Sequence, residues 1–253
     1  MASGSEVVLP GSAIVGLVRA IAALEEINLN GYVIVGGVAV NTRLGQAHRA
    51  TTDVDTVVNE MSNVGVIEAL LTHPDAEPDP TGSQRVIVAG TKVEIIGIGH
   101  VDDASFEGMT DLQTLFVGAH AWALETATPL TLIAGADPSI RATSPFATPA
   151  ALFAMKLHAI QDRRATSRME KRGSDAMDLY RLLLDLDADG SLRSDLAVAP
   201  APLRYAVRVA AQNILIDNSA RTRGWMLSAN DFHGQVSAEE LRALADPVVR
   251  AIG

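Results

Sequence analysis

Asp53-Val54-Asp55 puts two carboxylates at i and i+2 in a run that is otherwise apolar through Val58, apart from Thr56. On a strand, residues at that spacing share one face. Two hard oxygen donors so placed suit Mg²⁺, with Mn²⁺ as the alternative, because Mg²⁺ takes few carboxylates and completes its shell with water and phosphate. Gly36-Gly37 follows the apolar run Tyr32-Val33-Ile34-Val35, so free backbone N–H groups there could approach a triphosphate closely. Arg43 and Arg49 are cations able to neutralise phosphate, and Thr51 stands beside the acids. A third acid, Glu94, lies in Val93-Glu94-Ile95-Ile96, where a carboxylate is costly unless a metal or hydrogen bonds satisfy it. Each piece alone is ordinary: Asp-x-Asp is common in turns, a Gly-Gly turn says little, and an exposed edge-strand Glu is unremarkable in itself. In this order they suit a divalent-metal site beside a turn that can receive phosphates. Asp53, Asp55 and Glu94 are the candidate metal ligands, and Gly36, Gly37, Arg43, Arg49 and Thr51 the candidate nucleotide contacts.

A second polar centre is expected further along the chain. Lys156 stands among Leu152, Phe153, Met155 and Ile160, so its helix reads as largely buried and the lysine needs a partner; Asp175 on the following helix is a reasonable one. The bland alternative is a lysine that snorkels to the surface. Arg163, Arg164, Arg168, Lys171 and Arg172, opposed by Asp162 and Glu170, form the one basic cluster. It is a candidate RNA-phosphate contact or a solvated loop between helices. Asp185, Asp187, Asp189 and Gly190 imitate the start of a calcium loop, but Leu196 stands where the bidentate acid belongs, so an Asp-rich helix terminus explains them better. The six histidines, His233 among them, have no zinc spacing, and no Walker loop or dinucleotide fingerprint is present.

The elements that must position these residues read as follows. Ile14, Leu17, Val18, Ile21 and Leu24 repeat at helical spacing after Ser12, and Asn30-Gly31 breaks that helix. Tyr32–Val35 and Val54–Val58 read as strands, with a short helix over Val38–Leu44 between them. Asn63–Leu71 is expected to be helical, His73–Gly82 a loop, and Arg85–Val88 with Thr91–Ile96 a hairpin about Ala89-Gly90. The region up to about Ile140 reads as irregular, with one helix near Leu112–Leu124. Beyond Thr148-Pro149, helices are expected over Ala150–Arg163, Ser174–Leu186, Pro202–Ile216 and Ser237–Ile252. The division is an α/β domain over residues 1–145 and a helical domain over 146–253.

Composition narrows the class. The chain has 253 residues, 48% of them apolar, enough for a large core and too many for wholesale disorder. Aromatics are only 4%, which leaves few stacking platforms for bases. A formal charge of −10 repels nucleic acid as a whole, so RNA contact needs a local basic patch and no DNA partner is expected. With no cysteine, disulfides and thiolate chemistry are excluded. The first apolar segment contains Arg19 and reads as a folded helix, and no run is long enough to span a membrane; a soluble, cytoplasmic protein is expected.

Gly36-Gly37-Val38-Ala39, then Arg49-x-Thr51-x-Asp53-x-Asp55, then the strand bearing Glu94, resembles the DNA polymerase β-type nucleotidyltransferase superfamily. Lys156-Leu157-His158-Ala159, followed by Arg163 or Arg164 and by Asp175-Ala176-Met177-Asp178-Leu179, resembles the AbiEii nucleotidyltransferase toxins, including the MenT group. The resemblance covers roughly Tyr32 to Leu184. It implies an α+β fold, a nucleotidyltransferase mixed sheet with flanking helices, followed by a C-terminal helical domain. It also implies that Asp53, Asp55 and Glu94 are the metal-site acids, that Gly36 and Gly37 hold nucleotide phosphates, that Lys156 contacts the triphosphate, and that Asp175 and Asp178 lie near it. Gly173-Ser174 stands where a basic residue is common, which leaves open whether Asp175 or Asp178 faces the cleft. The implied activity is Mg²⁺-dependent transfer from an NTP to an RNA acceptor, tRNA foremost, by a toxin with a cognate antitoxin. An aminoglycoside-type transferase and a catalytically silent nucleotide-binding module are the alternatives. Thr51 and Thr52 beside the acids are also conceivable phosphorylation sites, since a phosphate there would repel both aspartates.

Overall fold

The computed structural model describes residues 5–27, 31–59, 64–163, 169–229 and 235–253. Asn30, Asn63, Arg164, Arg168 and His233, singled out above, lie outside them. The chain divides into two compact units, residues 1–100 with 123–148, and residues 101–122 with 149–253.

The first unit is built on a mixed sheet of β1 (Ser5–Leu9), β2 (Tyr32–Val35), β3 (Asp53–Val58), β4 (Ala76–Pro78), β5 (Arg85–Val88), β6 (Thr91–Gly97), β7 (Thr128–Ala134) and β8 (Arg141–Phe146). Their order is β1-β7-β8-β2-β3-β6-β5-β4. β2 is buried at all four positions, as expected of a short apolar run in mid-sheet. It runs antiparallel to β3 and parallel to β8, and β3 runs parallel to β6. Helix α1 (Ala13–Glu26) buries the stripe Ile14, Leu17, Val18, Ile21 and Leu24, the face its spacing defines. Helix α2 (Gly36–Leu44) starts directly from β2 at Gly36 and closes on Gly45 in the left-handed region, a common helix stop. The β5–β6 hairpin turns through Ala89 at φ 50° and Gly90 at φ 75°, the paired positive dihedrals that match strand twist in a two-residue turn. α3 (Val64–Leu70) lies between β3 and β4.

Part of this unit departs from the sequence reading. Thr128–Ala134, within the region expected to be irregular, and Arg141–Phe146, for which no element was expected, are an antiparallel pair in which Pro129 and Pro145 face each other. β1 adds parallel to β7, and β4 lies inside the expected loop. Prolines remove ladder donors and disguise strands, although Leu130, Leu132, Ile133 and Ala134 are all buried.

The second unit is helical: α5 (Pro149–Asp162), α6 (Met169–Leu186), α7 (Ser191–Ala197), α8 (Ala201–Ala211), a π-helical stretch Gln212–Asp217, α9 (Ser219–Leu227) and α10 (Ala238–Ala251). Residues 101–122 count with these helices and not with the sheet, so a single division after residue 145 does not describe the chain. The unit boundary falls within α4 (Asp111–Thr126). On the helical side of that boundary, a β-carbon at Gly118 would sit 3.2 Å from Leu203, and the Phe116 ring lies 5.0 Å from His158. That packing is why the segment belongs to the helices. α7 occupies the calcium-like stretch: Asp187 accepts from the Arg193 amide at 2.9 Å and Asp189 from the Ser191 amide at 2.9 Å. These acids anchor a helix start, as the misplaced twelfth position indicates. Among the described residues no helix is long and apolar enough to cross a membrane.

Candidate active site

Asp53 and Asp55 are half-buried on one face of β3, alternating with buried Val54 and Thr56. β2 positions the glycine pair opposite them, because Val35 is the register partner of Asp55 and Gly36 is the next residue. Gly36 has φ +70°, and a β-carbon there would lie 1.9 Å from Asp55 Oδ2. The Asp55 carboxylate therefore occupies the space that any side chain at 36 would need. At Gly37 a β-carbon would meet Arg49 Nη2 at 2.4 Å and Thr51 Oγ1 at 3.1 Å. Thr51 Oγ1 donates to Asp53 Oδ1 at 3.4 Å. Asn41 Nδ2, one turn into α2, donates to the Arg49 carbonyl at 3.1 Å and ties the loop before β3 to the helix. Gly36, Gly37, Arg49, Thr51, Asp53 and Asp55 are thus brought together. The positive φ favours glycine at 36, while a side chain at 37 would have to displace the end of Arg49.

Arg43 is placed differently. Its Nε donates to the Ala147 carbonyl at 2.8 Å, and its Nη2 to Thr128 Oγ1 at 2.8 Å and the Phe146 carbonyl at 2.6 Å. Burial pulls its pKa down to about 10. The guanidinium is spent on satisfying the ends of β7 and β8, the strands that were not legible in the sequence.

Glu94 is the register partner of Asp55 on the parallel neighbour β6, so the two project from the same side of the sheet. Its carboxylate, however, is held by Arg85, its partner across the hairpin, with Nη2 at 3.0 Å and Nε at 3.1 Å. No three His, Cys, Asp or Glu side chains among the described residues are grouped closely enough to hold a metal ion. Two adjacent aspartates with a glycine cradle are present; a three-acid cage is not. The donor set still fits Mg²⁺, which is bound through one or two carboxylates plus substrate phosphates. Arg85 was legible as Glu94's partner, since a two-residue turn at Ala89-Gly90 pairs 85 with 94 directly.

The polar centre of the second unit is an ion cluster. Lys156 Nζ lies 2.9 Å from Asp175 Oδ1 and 2.7 Å from Asp178 Oδ2, with the lysine side chain 9% exposed and the aspartates 3% and 0%. Arg163 Nη1 pairs with the other Asp175 oxygen. Both acids one turn apart on α6 hold the same lysine, so the Asp-x-x-Asp spacing is explained without choosing between them. Among the described residues the ion pairs join two cations to two anions, which offsets the cost of desolvating each ion. Nearby, His120 is fully buried with Nδ1 2.6 Å from the Phe116 carbonyl, and burial pushes its pKa down to about 4. His158 is lowered in the same direction, again chiefly by burial.

A family model described as "Nucleotidyl transferase AbiEii toxin, Type IV TA system" matches residues 19–251, nearly the whole chain. The class is therefore that of the nucleotidyltransferases. Within it, the chain belongs to the AbiEii toxin family of type IV toxin–antitoxin systems. No curated protein matches the sequence. Among solved structures, an antigenic nucleotidyltransferase-like protein from Paracoccidioides brasiliensis is similar to the chain at 18% identity, covering 86% of this chain and 94% of that one with a TM-score of 0.48.

Proposed function

We propose that this nucleotidyltransferase moves a nucleotide from an NTP to an RNA acceptor, with tRNA the favoured acceptor and Mg²⁺ the metal. The observation that carries the proposal is the Asp53–Asp55 face seated against the Gly36-Gly37 backbone. Asp53 and Asp55 would hold the ion, which when bound supplies electrostatic stabilisation of the transferring phosphoryl group. The glycines leave α2's first amides bare of side chains, so phosphate oxygens could accept from them and feel the positive end of the helix. Arg49 adds a guanidinium at Gly37 and Thr51 a hydroxyl. Arg43 acts as a brace for β7 and β8, leaving phosphate recognition in this unit to Arg49. Glu94, in register with Asp55, is the third acidic position, with Arg85 keeping its charge neutralised until it is used. In the reaction the acceptor oxygen forms a bond to the α-phosphorus, the bond to pyrophosphate breaks, and the hydroxyl proton passes to water. On the family resemblance, Lys156 serves as a cation for the triphosphate, with Asp175 and Asp178 fixing its ammonium. Family membership also supports a cognate antitoxin and work in the cytoplasm.

The test is transfer from labelled NTPs to tRNA in Mg²⁺ by the wild type and by D55A. Label in tRNA that disappears in a folded D55A protein is the expected result. Transfer unchanged by D55A would remove the mechanism.

A further inference from the structure

A cleft in the helical unit carries chemistry that the proposed metal and nucleotide site does not use. It has a volume of about 340 Å³ and is lined by Gln161, Arg172, Asn213, Asn218, Arg221 and Trp225, with two isoleucines beside them. Among the described residues no Asp or Glu lines it, in a chain whose net charge is −10. Every polar side chain described at its wall is a neutral amide or a cation. Arg172 is 6% exposed; its Nη2 is anchored on the Arg163 carbonyl, and its guanidinium carbon lies 4.9 Å from the Trp225 ring centre. Arg221, one turn before Trp225 on α9, lies 5.5 Å from the same ring. Both guanidiniums lie over the same indole within cation–π range.

The π-helical stretch, a rare geometry often found where function needs it, contributes Asn213 and Ile214 to the wall. It is held by side chains. Thr222 Oγ1 donates to the Ile214 carbonyl at 2.6 Å, and Asn218 Nδ2 donates to the Asn213 carbonyl at 2.9 Å and to Asn213 Oδ1 at 2.8 Å. The cleft is therefore preformed.

We infer that this Arg172–Arg221–Trp225 cleft is a phosphate-binding subsite for the backbone of the acceptor RNA. The inference rests on the RNA-acceptor reading above. A phosphodiester is a single-charged anion whose oxygens match a guanidinium fork. A free NTP is the poorer occupant, because its triphosphate travels with a divalent ion and the described lining has no carboxylate to receive one. In a strongly acidic protein, a cleft presenting Arg172 and Arg221 is the local basic surface that RNA contact requires.

The experiment measures binding of fluorescein-labelled unfractionated tRNA by anisotropy over a salt series, for the wild type, R221A, R221E and the control R250E. Arg221 and Arg250 are both exposed, so these variants should fold, and R250E alters net charge as R221E does. The cleft is supported if R221E weakens tRNA binding about tenfold more than R250E and R221A lowers the slope of log K against log salt by about one, with NTP affinity by calorimetry unchanged. R221E indistinguishable from R250E, in a wild type that binds tRNA, would remove the subsite alone. Lost NTP affinity with tRNA binding intact would also overturn it, by making the cleft a nucleotide site. A wild type that neither binds nor labels tRNA would remove the acceptor reading and this subsite with it.

Discussion

Gly36→Ala separates the backbone requirement at the glycine pair from the chemical one. At φ +70° an alanine is strained, and its β-carbon would stand 1.9 Å from Asp55 Oδ2, about 1.5 Å short of ordinary contact. The strain costs about 1–2 kcal/mol, a fall in Tm of roughly 2–8 °C for a chain of this size. The collision is relieved more cheaply by rotating the half-exposed Asp55 carboxylate than by moving β2, so stability suffers little beyond the strain. The carboxylate, however, must leave its position by more than an ångström, and a displacement of that size costs about a hundredfold in turnover. Gly45→Ala is the matched control: it has φ +67° with nothing within 4 Å of the added carbon, so it should lose similar stability while keeping activity. Turnover is followed by pyrophosphate release with NTP and acceptor, and stability by thermal denaturation. G36A activity within about threefold of G45A, against the hundredfold expected, would refute the view that Gly36 exists to make room for Asp55.

Three further outcomes are expected. Lys156→Met removes the ammonium held between Asp175 and the fully buried Asp178 and should cost about 3–5 kcal/mol, roughly 10 °C in Tm; D178N in the K156M background should recover part of it, and an additive double-mutant cycle would show that the pair is not coupled. His120 is held neutral by burial with its pKa near 4, whereas the unfolded chain protonates near pH 6.5. Its stabilising contribution is therefore complete above about pH 6.5 and falls away toward pH 4, by up to about 3 kcal/mol; His120→Phe should flatten that arm of the Tm–pH curve, and a curve of unchanged slope would assign the loss to other groups. Glu94→Gln breaks a pair whose side chains are one-third exposed, so Tm should shift by less than about 1 kcal/mol equivalent. Its turnover should nevertheless fall about a hundredfold, and equal turnover would return Glu94 to a structural role with Arg85.

The strands of the candidate site were legible because their signals are local. Tyr32–Val35 is apolar throughout, Ala89-Gly90 is a two-residue turn, and Asp-x-Asp on a strand needs no partner to declare its face. The Lys156 pairing was legible from hydrophobic context, although only coordinates show that both Asp175 and Asp178 meet it. What escaped depended on tertiary partners. β7 and β8 carry facing prolines, and β1 pairs with a strand more than a hundred residues distant. Arg43 looked like a phosphate ligand because nothing local revealed the carbonyls of Phe146 and Ala147. Residues 101–122 join the helices through Phe116 and Gly118, a packing choice invisible in composition. The cationic cleft joins α5, α6 and α9, and α9 itself was missed because Gly224 weakens its pattern.

Asp53 and Asp55 are the proposed divalent-ion site, and Mn²⁺ binding tests that directly. Electron paramagnetic resonance of Mn²⁺ titrated into the protein with a non-hydrolysable NTP analogue should show tight binding by the wild type. The folded D53N/D55N variant should bind about a hundredfold more weakly. Equal Mn²⁺ affinity in the two proteins would contradict the assignment.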